Sequence, residues 1–230
     1  MSLRSRLIDT PPGPARVHIE RPSTHVDRVP EERSGGGVSR SSAPRGSLVV
    51  SHGAGGGIEA ADLVALRALV EDGWTYVRVE QPWRVAGKKV ATPPKTLDAA
   101  WIPLLASLTG GRWALPRPLV VGGRSAGARV ACRTATAVGA DAVLALSFPL
   151  HPPNNPERSR ADEARLVLDA GLPLCVIQGE RDPFGRPDDV RAALGAAPSI
   201  TGVPGDHSLA RGADQVLTAA RAWLASLCPA

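Results

Sequence analysis

From residue 47 onward, largely apolar runs alternate with segments whose apolar residues recur every three or four positions. The runs at 48–51, 119–121 and 142–148 are continuous, which predicts strands that are covered on both faces. The segments between them, such as 63–70 and 212–227, have the spacing of helices with one buried face. Alternating strands and helices predict the α/β fold class, a mostly parallel sheet with helices on both faces.

The pattern predicts six strands and six helices after residue 46. The strands are predicted over residues 48–51, 76–79, 119–121, 142–148, 174–178 and 199–202. The helices are predicted over residues 63–70, 97–108, 125–138, 162–170, 187–194 and 212–227. Residues 148–161 separate the fourth strand from the next helix, and this segment is too short for a large cap domain.

The first 46 residues follow a different pattern. Residues 6–21 contain two short apolar segments around a turn rich in Pro and Gly, which predicts a hairpin at the edge of the sheet. Residues 22–46 are rich in Ser, Gly, Pro, Arg and Glu and lack periodicity, as in a flexible loop. We therefore divide the chain into an N-terminal edge segment with a flexible loop, 1–46, and one α/β domain, 47–230.

Composition and charge exclude several classes of protein. The 230 residues suffice for one domain, and 43% are hydrophobic and 21% charged, as in globular proteins. Of the net charge of +5, residues 1–46 contribute +3, so the remainder is nearly balanced and predicts no nucleic-acid partner. No apolar run approaches the roughly 18 residues of a membrane helix, and we expect no membrane association.

The cysteines favour a reducing compartment. Cys132, Cys175 and Cys228 are odd in number and form no C-x-x-C pair. This pattern is typical of neither a disulfide framework nor a zinc ribbon. The first 14 residues also lack the apolar core of a signal peptide, and we expect a cytoplasmic protein.

The clearest chemical motif is Gly123-Arg124-Ser125-Ala126-Gly127, which matches G-x-S-x-G between a predicted strand and a predicted helix. In that setting the motif forms a sharp turn that strains the serine backbone and raises its hydroxyl above the sheet. Side chains two residues before and after the serine would collide, which explains both glycines. Ser125 is therefore the candidate nucleophile, and a glycine-rich turn without chemistry is the alternative.

A serine hydroxyl needs a base to accept its proton, and the base needs a carboxylate to orient it. His207 lies in a polar loop before the last predicted helix and is the first candidate for the base, an exposed loop histidine being the alternative. Asp182 follows the predicted strand 174–178 and is the candidate acid. Asp206 adjoins His207 but neighbours in sequence rarely face one another's rings, and Glu180 is a weaker candidate.

A tetrahedral intermediate also requires backbone N–H donors for its oxyanion. Ala126 is expected to supply one of them. The glycine-rich loop after strand 48–51 reads H-G-A-G-G-G, close to the H-G-G-G pattern, with Gly53 or Ala54 as the second donor. His52 is interpreted as a brace of this loop rather than as a base.

The same loop does not fit a nucleotide site. Ile58 stands where the third glycine of G-x-G-x-x-G would be, and the chain contains no G-K-[ST]. No cluster of His, Cys and Asp has the spacing of metal ligands. We therefore expect neither a cofactor nor a metal.

Together these segments resemble the α/β-hydrolase superfamily, in its small dienelactone-hydrolase-like group. They are similar to the branch that contains the testis-expressed hydrolase-like proteins and a related domain in a subunit of the NSL histone acetyltransferase complex. The resemblance runs from about residue 47 to the C-terminus and rests on SHGAGG at 51–56, GGRSAGAR at 122–129, FPLHP at 148–152, QGERD at 178–182 and DHS at 206–208. It implies the α/β-hydrolase fold and a Ser125–Asp182–His207 triad, but no substrate.

The predicted function is a serine hydrolase that cleaves a carboxylic ester or related acyl bond of a small molecule through an acyl-enzyme. A non-catalytic interaction protein with the same fold is an alternative, as is an acyltransferase or peptidase with the same triad. The oligomeric state is not predicted. Trp83, Trp101 and Trp113 are candidates for pocket walls or core, and His151 for a substrate contact or, preferably, a loop brace.

Overall fold

A computed structural model describes residues 2–23 and 43–227 of the chain. The strands are β1 (Ser2–Ile8), β2 (Ala15–Arg21), β3 (Gly46–Ser51), β4 (Trp74–Glu80), β5 (Leu119–Arg124), β6 (Ala142–Leu146), β7 (Leu174–Gly179) and β8 (Ser199–Val203). The α-helices are α1 (Ala61–Ala65), α2 (Pro82–Val85), α3 (Pro94–Ala106), α4 (Ala126–Thr134), α5 (Ala161–Asp169), α6 (Pro187–Leu194) and α7 (Ala213–Leu227). Short 3₁₀ helices cover Leu66–Val70, Gly111–Trp113 and Ala210–Gly212.

The strands of these described residues form one eight-stranded sheet in the order β1-β2-β4-β3-β5-β6-β7-β8. β2 pairs antiparallel with β1 and with β4, and all other pairs are parallel. This mostly parallel sheet confirms the predicted fold class.

The central strands β3, β5, β6 and β7 are largely apolar and buried along their length because helices cover both faces of the sheet there. In β3, Val49 belongs to the core beneath α3 to α6, whereas its neighbours Leu48 and Val50 belong to the core beneath α1 and α7. Successive side chains of a strand point to opposite faces, so the continuous apolar run supplies both cores at once.

The predicted elements are present, with differences at their ends. The strand predicted over 142–148 ends at Leu146, since Ser147 has a positive φ of 44° and leaves the extended conformation. The helix predicted over 125–138 ends at Thr134, and a series of turns follows it. Helix α2 is absent from the prediction because four residues are too few to show a helical period.

The predicted N-terminal hairpin is formed by β1 and β2, and the Gly13 N–H donates to the Thr10 carbonyl at 2.9 Å in its turn. β2 continues the main sheet through β4, and the buried Glu20 carboxylate at its end binds Arg67 and Arg78. The sheet is therefore continuous across residue 46, where the sequence division is drawn. Residues 24–42 of the predicted flexible loop lie outside the described residues.

The parallel strands bring several loops to one edge of the sheet. The loops that follow β3, β5, β7 and β8 all leave from the carboxyl ends of their strands, where ligands bind in open α/β sheets. The segment 147–160 contains no helix or strand, so no cap domain is inserted between β6 and α5. Among the described residues, no helix combines the length and apolarity needed to cross a bilayer.

Candidate active site

Ser125 occupies the sharp turn between β5 and α4, with φ 54° and ψ −108°. A Cβ on either Gly123 or Gly127 would overlap the carbonyl oxygen of Ser51, at the end of the adjacent strand β3. The motif therefore requires both glycines, as the sequence predicts. The obstacle, however, is mainly the neighbouring strand, which the motif alone does not reveal.

Three side chains predicted from separate loops meet at this turn. The His207 Nε2 atom lies 2.9 Å from the Ser125 Oγ atom, and the His207 Nδ1 atom lies 2.8 Å from the Asp182 Oδ2 atom. The Asp182 side chain is fully buried, whereas that of His207 is 19% exposed. An aspartate, an imidazole and a hydroxyl thus form a continuous hydrogen-bonded chain.

The Asp182 carboxylate is held by two further hydrogen bonds. The Gln178 Nε2 group donates to Oδ2 at 2.9 Å, and the Phe184 backbone N–H donates to Oδ1 at 2.8 Å. Gln178 also donates to the carbonyl oxygen of Gly185 at 2.7 Å, which orients its amide. These donors hold the carboxylate in place and fix the oxygen that faces His207.

The two alternative acids do not reach the imidazole. The Asp206 Oδ1 atom accepts hydrogen bonds from the backbone N–H and the hydroxyl of Ser208, and these bonds lower the pKa of the exposed Asp206 carboxyl. Glu180 is exposed, and no described hydrogen bond joins its side chain to His207. The structure therefore brings Asp182, and neither alternative, to His207.

The loop that carries His207 is fixed from three sides. The Arg181 N–H donates to the Gly205 carbonyl at 2.9 Å, which ties this loop to the one after β7. The Phe184 ring lies against the imidazole with its centroid 4.2 Å away and an interplanar angle of 32°. The Arg124 Nη2 group donates to the His207 carbonyl at 3.0 Å. The base is consequently presented in a defined position.

A second carboxylate lies behind this arrangement. Asp62 is fully buried, and its Oδ2 atom is 3.5 Å from the Arg124 Nε atom. Neither oxygen accepts a well-aligned hydrogen bond from a described residue, although the backbone N–H groups of Asp62 and Leu63 also favour its charge. Burial raises the pKa of the Asp62 carboxyl to about 6, against the opposing effect of the Arg124 cation. No role for either residue follows from the sequence reasoning.

The predicted oxyanion loop lies directly beside the serine. A Cβ on Gly53 would lie 3.3 Å from the Ser125 Cβ atom, and Gly53, Ala54 and Ala126 all line the same cavity as Ser125. Ala126 is the first residue of α4, where the N–H has no acceptor in the preceding turn of the helix.

His52 is a brace of this loop, in agreement with its interpretation. Its Nε2 atom accepts the Gln81 backbone N–H at 3.1 Å, so Nδ1 carries the proton and donates to the Gly53 carbonyl at 2.9 Å. Burial lowers the pKa of His52, which favours this neutral form. His151 likewise has a bracing position. Its Nδ1 atom lies 2.9 Å from the Pro152 carbonyl oxygen in its own loop, and its backbone N–H donates to the Phe184 carbonyl in the loop after β7.

The cavity above Ser125 has a volume of about 410 Å³. Its walls include Phe184, Pro149 and three arginines, Arg124, Arg129 and Arg160. None of these was proposed as a lining residue, although Arg129 lies one helical turn after Ser125, a spacing that places it near the same end of α4. Pro149 directly follows the strand predicted over 142–148, which places it at the edge of the sheet near the site, whereas Arg160 carries no such sequence signal.

The tryptophans proposed as pocket walls do not line this cavity. Trp101 and Trp83 are buried in the core beneath α3, and Trp113 packs against that core. Cys132 and Cys175 are buried free thiols whose pKa burial raises to about 12, and Cys228 lies outside the described residues. Within residues 2–23 and 43–227, no three His, Cys, Asp or Glu side chains group as metal ligands would.

Comparison with solved structures supports the fold across the whole chain. An α/β serine hydrolase without a lid from Xanthomonas campestris is 20% identical, with a TM-score of 0.71 over 100% of this chain and 97% of that one. An α/β serine hydrolase homologue from Coxiella burnetii is 16% identical, with a TM-score of 0.70 over 99% and 98%. A thermophilic esterase from Thermogutta terrifontis is 15% identical, with a TM-score of 0.63 over 98% and 92%.

A comparison with curated protein sequences finds no match. By contrast, a family model described as an alpha/beta hydrolase domain matches residues 44–226, most of the chain. The match includes the turn at Ser125 and the loops of Asp182 and His207. The chain belongs to the α/β-hydrolase superfamily.

Proposed function

We propose that this protein is a serine hydrolase that cleaves a carboxylic ester, with Ser125 as nucleophile, His207 as base and Asp182 as the acid that orients it. The observation that carries the proposal is the unbroken chain of hydrogen bonds from Asp182 through His207 to Ser125, at 2.8 and 2.9 Å. These distances are within the reach that general-base activation of a nucleophile requires.

In the first half-reaction His207 Nε2 takes the proton of the Ser125 hydroxyl as its oxygen attacks the ester carbonyl. The imidazolium that forms is stabilised by the Asp182 carboxylate, which hydrogen bonds from Gln178 and Phe184 hold in position. The tetrahedral intermediate then collapses, and His207 gives the proton to the leaving alcohol. Ser125 is left acylated.

The oxyanion of that intermediate is placed near the backbone N–H groups of Ala126 and of Gly53 or Ala54. The position of α4 behind Ser125 adds the favourable field of a helix N-terminus. In the second half-reaction His207 removes a proton from water, which attacks the acyl group and frees the acid. His52 supports this step only indirectly, through its hydrogen bond to Gly53.

The open site favours a small-molecule acyl substrate. None of the described residues forms a cap over the cavity, and the similar structures include enzymes described as a serine hydrolase without a lid and as an esterase. The finer resemblance to the dienelactone-hydrolase-like group, and to its testis-expressed and NSL-subunit branch, is part of this proposal, as are a cytoplasmic location and the absence of nucleic-acid and membrane partners.

A fluorophosphonate probe tests the proposal, because it reacts only with an activated serine. The wild-type protein is expected to be labelled, and Ser125→Ala is expected to lose all labelling. Ser208→Ala, which removes an exposed hydroxyl near His207, is the matched control and is expected to be labelled like the wild type.

A folded wild-type protein without labelling would overturn the proposal and favour the non-catalytic interaction protein. Labelling with turnover of peptides but not of esters would favour the peptidase alternative. Acyl transfer to an added alcohol in preference to water would favour the acyltransferase. A panel of 4-nitrophenyl esters of increasing chain length separates these outcomes from ester hydrolysis.

A further inference from the structure

Three arginines line the cavity at Ser125, and two of them are paired with carboxylates. Arg124 faces Asp62. Arg129 forms a two-bond contact with Glu163, at 2.7 Å through Nε and 2.6 Å through Nη2. Among the described residues, Arg160 is the lining arginine for which no carboxylate lies within ion-pair distance.

The position of Arg160 is nevertheless fixed. Its backbone N–H donates to the Leu150 carbonyl at 2.7 Å, and its Nη1 group donates to the Pro149 carbonyl at 3.0 Å. Its Nε and Nη2 groups have no hydrogen-bond acceptor among the described residues. One edge of the planar Arg160 guanidinium therefore has two N–H donors that no described residue accepts.

The surroundings of Arg160 disfavour an isolated cation. Partial burial lowers its pKa, and the nearby cations of Arg129 and Arg158 act in the same direction. Glu163 opposes them, but its oxygens already accept hydrogen bonds from Arg129 and from Arg133. A bound anion would compensate a charge that the described residues leave uncompensated.

We propose that Arg160 is a specificity-determining residue and that the preferred substrate is a small ester carrying a carboxylate, which Arg160 binds while Ser125 attacks the ester carbonyl. The inference rests on the proposed esterase function and names its substrate class. A carboxylate suits the site because its two oxygens match the two parallel N–H donors of one guanidinium edge. The cavity of about 410 Å³ limits the substrate to a short one.

The test compares two esters of similar length that differ in charge, 4-nitrophenyl hemiglutarate and 4-nitrophenyl pentanoate. The wild-type enzyme is expected to have the higher kcat/KM for the hemiglutarate. In Arg160→Gln the ratio of the two kcat/KM values is expected to fall about 10- to 100-fold, the usual effect of losing hydrogen bonds to a charged group. A ratio is insensitive to the fraction of enzyme that is folded.

Two further variants distinguish paired hydrogen bonds from the Arg160 guanidinium from simple attraction of the substrate by positive charge. Arg158→Gln removes an exposed positive charge from the same loop, and its ratio is expected to stay within about twofold of the wild type. Arg160→Lys keeps the charge but loses the pair of parallel N–H donors, and the ratio of the two kcat/KM values is expected to be intermediate. Equal falls in Arg158→Gln and Arg160→Gln would overturn the inference, as would a wild-type preference for the pentanoate.

A second measurement does not depend on the choice of ester. Glutarate is expected to slow fluorophosphonate labelling of wild-type Ser125 and to have at least tenfold less effect on Arg160→Gln. Labelling that glutarate leaves unchanged in the wild type would overturn the carboxylate site while the esterase proposal stands. A wild-type protein that is not labelled at all would overturn the esterase proposal, and the inference with it.

Discussion

Two buried aspartates approach the same histidine loop, and their environments differ sharply. Asp182 accepts hydrogen bonds from Gln178, Phe184 and His207. Asp62 is equally buried but accepts no well-aligned hydrogen bond from a described residue, and its nearest cationic atom is the Arg124 Nε at 3.5 Å.

The difference shows that burial alone does not enable a carboxylate to orient a histidine. A buried charge is costly unless hydrogen bonds replace the water that it loses. Asp182 has that replacement, and its carboxylate is held in position to orient the imidazole. Asp62 lacks it, and its raised pKa of about 6 is the consequence. Asp62 acts on the site only indirectly. It lies beside the Arg124 cation, and Arg124 donates a hydrogen bond to the His207 carbonyl.

The largest expected effect comes from Asp182→Asn. An amide nitrogen at the Oδ1 position would face the backbone N–H of Phe184, whereas one at the Oδ2 position displaces only the Gln178 side chain, which can rotate; the new amide group is therefore expected to face His207. The imidazole would then carry its proton on Nε2, the nitrogen that must accept the serine proton. We expect kcat for ester hydrolysis to fall by about 10⁴-fold, as for a triad with the wrong tautomer.

Asp206→Asn is the control for that variant, because it makes the same chemical change at the exposed neighbour of His207. We expect its kcat to remain within about threefold of the wild type. Comparable losses in the two variants would mean that the geometry at Asp182 does not explain the activity.

An intermediate effect is expected on the pH dependence of stability in Asp62→Asn. The folded-state pKa of Asp62, about 6, lies above the ordinary value of 3.8. The folded state therefore binds the proton more tightly than the unfolded state, and the wild type loses stability as the pH rises from about 4 to about 6. Asp62→Asn removes this loss, which amounts to about 3 kcal/mol.

Urea unfolding of both proteins at pH 4 and pH 7 measures this difference. The free energy of unfolding of the wild type, minus that of Asp62→Asn, is expected to decrease between the two pH values. The same comparison with Asp206→Asn is expected to change little between these pH values, because hydrogen bonds lower the pKa of Asp206 from its ordinary 3.8 and its titration lies mostly below pH 4. Parallel curves for the wild type and Asp62→Asn would show that Asp62 is not the carboxyl responsible.

The smallest effect is expected from Gln178→Leu, which removes one of the donors to Asp182 but keeps the carboxylate. We expect kcat to fall about tenfold and the free energy of unfolding to fall by about 1–2 kcal/mol. Tyr76→Phe is the control, because it removes another buried hydrogen bond, to the Leu63 carbonyl, away from the triad. Its stability loss should be similar and its kcat unchanged. An equal fall in kcat for both variants would indicate that lost stability is the cause.

Much of this site could be predicted from the sequence because its parts follow strands. Ser125, Asp182 and His207 each stand in a loop after a predicted strand, and the carboxyl ends of parallel strands share one edge. The two glycines around Ser125 marked the strained turn. Arg160 could not be predicted, since it reaches the cavity from a segment without periodicity. Its proposed role depends on having no described carboxylate within ion-pair distance, which the sequence does not reveal.

The sequence by itself determined the alternation of strands and helices, the position of the turn at Ser125 and a short set of possible acids and bases. These properties follow from local periodicity and from the glycines that a tight turn needs. Only the tertiary structure decided that Asp182 rather than Asp206 meets His207, that Asp62 lies unsatisfied beneath Arg124, and that Arg160 lines the cavity. Each of those outcomes depends on distances between residues far apart in the chain, and local patterns contain no information about such distances.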